Sequence, residues 1–398
     1  MEDERNLDLE ALVDPPPPPG YEEAPKKTPS PKKRAPLALF AAVCALILML
    51  GIWIGTGIGK SKPTEPPITT APPITTAPPE TTTPPETTVP PETTAPSEPG
   101  WEANLLRADP VPYQSEDKWD WLGEAKVYPV FGSDYQRQQI ASVTFLDTLA
   151  DTPEDAWDVS ESGDGRVMAW ATPVNDLYDL YIAADGGVSA AHDCSDLFAG
   201  YSNAKTINFG EAFHTTGAAN MSCMFIGCKA LTELNLNRFD TSAVQDMSKM
   251  FYFCTSLTDL TLGDSFDTSA VQDMSRMFNW CSSLTDLTLG DCFDTSAVQD
   301  MSYMFSVCSD LTALTLGDRF DTSNVRDMSC MFASCETLTG LNLSCFDTSS
   351  VLDMHNMFAG CEALTELTLG DNFVTTNANT TDTFFNCPAG ADYQHLLN

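Results

Sequence analysis

The chain has 398 residues, with 20 Lys plus Arg against 56 Asp plus Glu and a net charge of −36 at pH 7. From residue 63 onward 12 basic side chains face 48 acidic ones. So acidic a surface repels phosphate backbones and excludes nucleic acid as a partner.

Residues 1–36 hold the run Pro15–Pro19 and an acidic first third, the composition of a disordered cytoplasmic tail. Leu37–Ile58 is 22 residues without a charge. As a helix that is about 33 Å, enough for a bilayer core, so residues 37–59 are predicted to span a membrane. The 36-residue leader and the absence of an A-x-A site argue against a cleaved signal peptide. Lys26, Lys27, Lys32, Lys33 and Arg34 precede the span and only Lys60 and Lys62 follow it. That asymmetry predicts a single-pass protein of the cell membrane with its N-terminus in the cytoplasm and everything after the span outside. Residues 60–100 form a predicted stalk: 63–99 contain 13 Pro and 12 Thr, with Pro pairs beginning at 66, 72, 78, 84 and 90. A period of six is two turns of polyproline II, which at ~3.1 Å per residue reaches roughly 115 Å.

Residues 101–192 are predicted to be a small β-rich or α+β cap. Trp101, Trp119, Trp121, Trp157 and Trp170 lie there. A short capped helix is expected after Ser133 and a strand at SVTFLDTL. A hairpin is expected across SESGDGR, and a strand ending in Gly at DLYIAADGG. Such a unit covers the open edge of a repeat array. Asp155, Asp158, Glu161 and Asp164 are dense enough to raise calcium chemistry, but they lack the alternating ligand pattern of an EF-hand loop and read as turn residues.

Residues 193–398 repeat. Aligned on D-M-S-x-M-F, units start at Asp246, Asp273, Asp300, Asp327 and Asp353, with variants at Asp193 and Asn220 and a degenerate one at Thr380. The shortened units read Leu-Asn-Arg-Phe at 236–239 and Leu-Ser-Cys-Phe at 343–346, so the deletion falls in a turn. In the unit from Asp246, Leu257, Leu260 and Leu262 mark a short strand. Met247, Met250, Phe251 and Cys254, at offsets of three and four, predict a short helix with Asp246 as its N-cap. Phe266 and Val271 complete the inward set. The predicted fold is a leucine-rich-repeat-like solenoid of 26–27-residue coils, each a short parallel strand plus a short helical segment, behind the cap, the stalk and the transmembrane helix. Cys228, Cys254, Cys281, Cys308, Cys335, Cys361 and Cys387 recur once per coil, as a packing ladder does, and no C-x-x-C pair exists to suggest zinc.

The unit L-T-x-L-x-L-x-x-x-F-D-T-S-x-V-x-D-M-S-x-M-F-x-x-C resembles the BspA-like leucine-rich-repeat surface proteins, found mostly in bacteria. The match covers about residues 193–387, and the upstream GDGRVMAWATP and DLYIAADGG are similar to the segment preceding such repeats. The resemblance implies a shared fold, cell-surface display and, for some members, adhesion; it carries no catalytic site.

Chemistry is sparse. The Asp of each F-D-T-S (Asp240, Asp267, Asp294, Asp321, Asp347) reads as turn chemistry before it reads as a cation ladder. Of four histidines, His355 is placed in the slot of Lys249, Arg276, Tyr303 and Cys330, and nothing pairs any of them with a nucleophile. No Walker A loop, G-x-G-x-x-G or H-E-x-x-H is present, so no enzyme, cofactor or metal is expected. A binding surface would be written in the slots that vary between coils. There Lys249, Arg276 and Tyr303 stack, with Tyr252, Asn279 and Ser306 beside them. The expected function is display of the array for binding an extracellular protein or glycan, with adhesion as its outcome. The alternatives are a structural spacer without a ligand and a hydrolase sited in the cap.

Overall fold

The computed structural model describes residues 100–109 and 128–397, except for the side chain of Gln394. The tail, the span at 37–59, the stalk, and Trp119 and Trp121 lie outside the described residues. Among those described, no helix is long and apolar enough to cross a membrane. The expectations of a spanning helix, a single-pass localisation and the membrane as a partner are therefore corrected to what the described residues show, which is no such helix among them.

Strands β1 (Ile140–Leu146), β2 (Trp157–Asp158), β3 (Met168–Val174) and β4 (Leu177–Ala183) build a mixed sheet with β6 (Thr206–Asn208), in the order β2-β3-β4-β1-β6. β2 and β3 form the hairpin expected across the Gly-rich turn, with Trp157 opposite Ala169. β3 and β4 form a second, with Asn175 at φ +53° supplying the left-handed turn between Val174 and Leu177. The helix expected after Ser133 is a single 3₁₀ turn, Arg137–Gln139. β1 pairs in parallel with β6, so this sheet continues onto the first coil, and β5 (Val188–Ser189) pairs with β7 (Phe213–His214) in the same way. The acids of the hairpin turn bond to their own loop. Asp158 accepts from the Ser160 amide at 2.9 Å and the Gly165 amide at 3.0 Å. Burial pushes its carboxyl up, but the bonds from Ser160 and Gly165 outweigh that and hold it below the ordinary range.

From Asp193 the chain winds into coils. Parallel bridges join Asp193, Asn220, Asp246, Asp273, Asp300, Asp327, Asp353 and Asn379, one residue per coil. The last coil is thus in register at Asn379, not at Thr380. Strands β8 (Glu233–Leu236) and β9 (Asp259–Leu262), β10 (Asp286–Thr288) and β11 (Ala313–Thr315), and β12 (Gly340–Leu343) and β13 (Glu366–Leu369) pair in parallel, coil on coil.

The helical segment expected in each coil is absent, which corrects the predicted fold class: the coils consist of short strands and linked turns. The Met250, Tyr252 and Cys254 amides donate to the carbonyls of Met247, Lys249 and Phe251 at 3.1–3.2 Å, each three residues back. The intervening amides of Met247, Lys249, Phe251 and Phe253 donate to Asp273, Ser275, Met277 and Asn279 of the next coil at 2.9–3.0 Å. A helix capped at Asp246 would turn the Phe251 and Phe253 amides onto carbonyls four residues back within itself and leave neither to join the next coil. Two left-handed residues per coil make the turns possible. The fourth residue is one, as in Lys249 (φ +58°), Arg276 (+58°) and Tyr303 (+57°). The eighth is the other: Phe253, Trp280, Val307, Ser334 and Asn386 in five coils, but Gly200, Gly227 and Gly360 in the other three. Asp246 caps no helix; its carboxylate closes an Asx turn on the Ser248 amide at 2.8 Å.

The inward residues form columns. Rings of Phe198, Phe225, Phe251, Phe278, Phe305, Phe332, Phe358 and Phe384 stack with centroids 5.2–5.7 Å apart. Met247, Met250, Cys254 and Leu257, with their equivalents through Leu364, are fully enclosed. The ladder thiols from Cys228 to Cys361 also each donate to the carbonyl of a phenylalanine one coil earlier, as Cys281 does to Phe251 at 3.3 Å and Cys308 to Phe278 at 3.2 Å. The twelve described cysteines are all free thiols. At the far end α1 (Gly390–Tyr393) closes the stack, with the Tyr393 ring over Phe384 and its hydroxyl donating to Leu367 O at 2.7 Å.

Candidate binding surfaces

The F-D-T-S segment shows what its Asp and Thr do. Each Asp accepts from the Ser amide two residues on, at 2.8–3.2 Å. Each buried Thr hydroxyl reaches the neighbouring coil, Thr268 to Asp294 O and Thr295 to Asp321 O at 2.7 Å. Bonds from the Ser hydroxyl and amide hold the Asp240, Asp294 and Asp347 carboxyls below the ordinary range. These groups favour folding above the unfolded carboxylate range, and that contribution is lost as pH falls through their folded values.

Asp273 has the opposite sign. Burial pushes its carboxyl up, further raised by Asp300 and Asp246, against bonds from Ser275. Its contribution to folding is complete only below the ordinary carboxylate range and is lost as pH rises through the folded value. Asn keeps the acceptor for the Ser275 amide and removes the charge, and Asn220 and Asn379 already hold this slot in other coils. Asp273→Asn is therefore expected to raise the thermal midpoint at pH 7, with the gain vanishing by about pH 3. Thermal scans across that range check it.

The predicted stripe divides. Lys249, Arg276 and Tyr303 lie half-buried on the outer side of the linked turns, one per coil, and the Arg276 guanidinium sits 4.5 Å from the centroid of the Tyr303 ring. Tyr252 and Asn279, expected beside them as contacts, are buried at 7% and 0% exposure, as is Ser306 at 0%. Tyr252 packs edge-on to Phe253 at 4.6 Å, and Phe253 stacks on Trp280 at 5.0 Å. They belong to a small apolar cluster with Ile226 and Ala199, behind the surface and separate from the main core. The Asn279 amide, the Ser306 hydroxyl and the Trp280 Nε1 lie in the same layer without a hydrogen-bond partner. The seventh residue of each unit therefore serves packing between turns.

His355 does not share the slot of Lys249. It follows Met354 as the Ser follows Met in other coils, and Asn356, at φ +55°, takes the left-handed slot. There His355 Nδ1 lies 2.7 Å from Asp353 Oδ1, and its Nε2 lies 3.8 Å from Cys330 Sγ of the preceding coil. The register thus gathers a thiol, an imidazole and a carboxylate that one-dimensional spacing could not pair. Cys330 is fully buried, so the arrangement presents no nucleophile to a substrate. Burial likewise pushes the Cys228 and Cys281 thiols up to about 12. No group of three metal-ligating side chains occurs among the described residues.

A concave site lies elsewhere, on the strand side of the first two coils. A groove of about 320 Å³ has Asn208, Gly210 and Glu211 on one wall and Asn235, Asn237 and Arg238 on the other. The buried Phe209 and Phe239 close its floor. The Glu211 carboxylate and the Arg238 guanidinium pair across it. One wall is the shortened turn Leu-Asn-Arg-Phe, in which Asn235 Oδ1 accepts from the Asn237 amide at 3.0 Å. Gly263 of the third coil presses on Asn237, where a Cβ would overlap its backbone, so the groove is closed on that flank.

The profile of a family described as Mycoplasma protein of unknown function, DUF285, matches this chain twice, over residues 192–312 and 286–394. No curated protein and no solved structure matches it.

Proposed function

This chain belongs to the DUF285 family, and on that premise we propose that its stacked coils are a recognition array that binds a protein or glycan through the outer side of the linked turns, with adhesion as the outcome. Within the family we assign the coils to the BspA-like leucine-rich type. The inward Leu, Met, Phe and Cys columns support that assignment.

The observation that carries the reading is the Arg276–Tyr303 pair. Twelve basic side chains follow residue 63, and two of them, Lys249 and Arg276, stand in the same slot of successive coils. One is stacked at 4.5 Å on the aromatic ring that fills the slot in the next. Arg and Tyr are the residue types that dominate binding energy when a partner desolvates them. The invariant frame beneath holds them at fixed spacing without induced fit. The triple variant Lys249→Ala, Arg276→Ala, Tyr303→Ala is expected to weaken binding to immobilised matrix proteins or arrayed glycans by about tenfold or more. A wild-type chain that binds none of them, or a triple variant that binds equally well, would return the array to the role of a spacer.

A further inference from the structure

The groove at the first two coils is separate from the stripe. We propose that it is a binding site for a neutral polyhydroxylated ligand, a single sugar unit or its N-acetyl derivative. This carries the recognition reading to a named ligand class and to a second place on the chain.

The cavity comes from a one-residue deletion. Most coils place Gly-Asp-x between the last strand leucine and the inward phenylalanine, whereas the second coil has only Asn237 and Arg238 between Leu236 and Phe239. A shortened turn alone does not explain the lining. The other such turn, Ser344–Cys345, closes by the same Asx bond, Asn342 Oδ1 accepting from the Ser344 amide at 3.0 Å. That accounts for Asn235 and Asn342 as turn residues. It does not account for Asn208 and Asn237, whose exposed side chains stand on opposite walls of the groove.

The chemistry of the walls selects the ligand. A side-chain amide offers a donor and an acceptor in one plane, the pair that two adjacent hydroxyls complement. Glu211 adds acceptors and Arg238 donors, and because these two charges neutralise each other the site favours neither anion nor cation. At about 320 Å³ the volume is at the low end for small-molecule sites, which suits one sugar unit and not a long chain.

The test is saturation-transfer NMR and titration calorimetry on the full chain, with glucose, galactose, mannose and N-acetylglucosamine as probes. Binding of at least one in the millimolar range or tighter is expected. Asn208→Ala with Asn237→Ala should weaken it by about tenfold or more while leaving the thermal midpoint unchanged, since both side chains are exposed. The Lys249, Arg276, Tyr303 triple variant should leave it unaltered. If no probe binds, or if binding survives loss of both amides, the groove is not a sugar site. Sugar binding that persists while array binding fails would separate this proposal from that of the stripe.

Discussion

Phe278→Ala is expected to lower the stability of the array by about 3–5 kcal/mol, read as a shift of the denaturant midpoint followed by circular dichroism. The ring is fully buried and stacks on Phe251 at 5.3 Å and Phe305 at 5.5 Å, nearly parallel to both. Cost in such a series depends on how far the surroundings can collapse into the space left. Here they cannot. The coils on either side are held at fixed spacing by backbone bonds that bypass the side chain, Met274 to Asp300 O at 3.0 Å and Phe251 to Met277 O at 2.9 Å. The void persists, and the loss should fall in the upper part of that range. Phe278→Leu, which refills most of the space, should cost distinctly less. A truncation that cost under about 1 kcal/mol would mean that the column is not packed as described.

Arg137→Met is expected to cost a similar amount, about 3–5 kcal/mol, by a different route. Its side chain is 1% exposed and pairs with Asp109 at 2.9 Å. Its Nη1 donates to Asp196 O at 2.7 Å and Ala199 O at 2.8 Å, and its Nη2 donates to Asp109 O. The guanidinium also lies 5.5 Å from the centroid of the Tyr201 ring. This one cation therefore ties the segment at Asp109 and the 3₁₀ turn to the first coil. Methionine fills the volume but leaves three carbonyls and a carboxylate without their donor, the costly half of a broken buried pair. Asp109→Asn in the Arg137→Met background should recover part of the loss, because it removes the stranded charge. Equilibrium denaturation of the single and double variants gives the coupling directly. Additive losses would show that the pair is not a unit.

How much of this could be read from residues alone differs by element. The period was legible because Met, Phe and Cys return at one spacing and each ends fully buried, and the F-D-T-S turns were legible because Asp and Ser at that offset bond locally. The backbone between Asp246 and Cys254 was not. Linked turns with bonds three residues back place side chains at offsets of three and four, as a helix does, so apolar periodicity cannot tell them apart. The difference lies in the amides of Lys249 and Phe253, which donate across to Ser275 and Asn279 from left-handed residues, and side-chain type gives no hint of that. The same geometry hid the fate of Tyr252 and Asn279: on a helix they would flank the exposed slot, whereas linked turns fold them under it. The groove has no signature in one dimension, because a deletion in one turn becomes a cavity only when the next coil is laid beside it.

The bonds between coils carry one further meaning. Met247 to Asp273, Met274 to Asp300 and Met301 to Asp327 are the same amide-to-carbonyl contact, and the Thr and Cys side chains repeat their own contacts at each of these boundaries. A boundary made once can be made again without new chemistry, so duplicating or excising a 27-residue segment in this stretch rejoins like to like. Such a molecule can change its reach by unequal recombination within its own coding sequence, while the sheet ahead of the first coil and the short helix behind the last remain untouched.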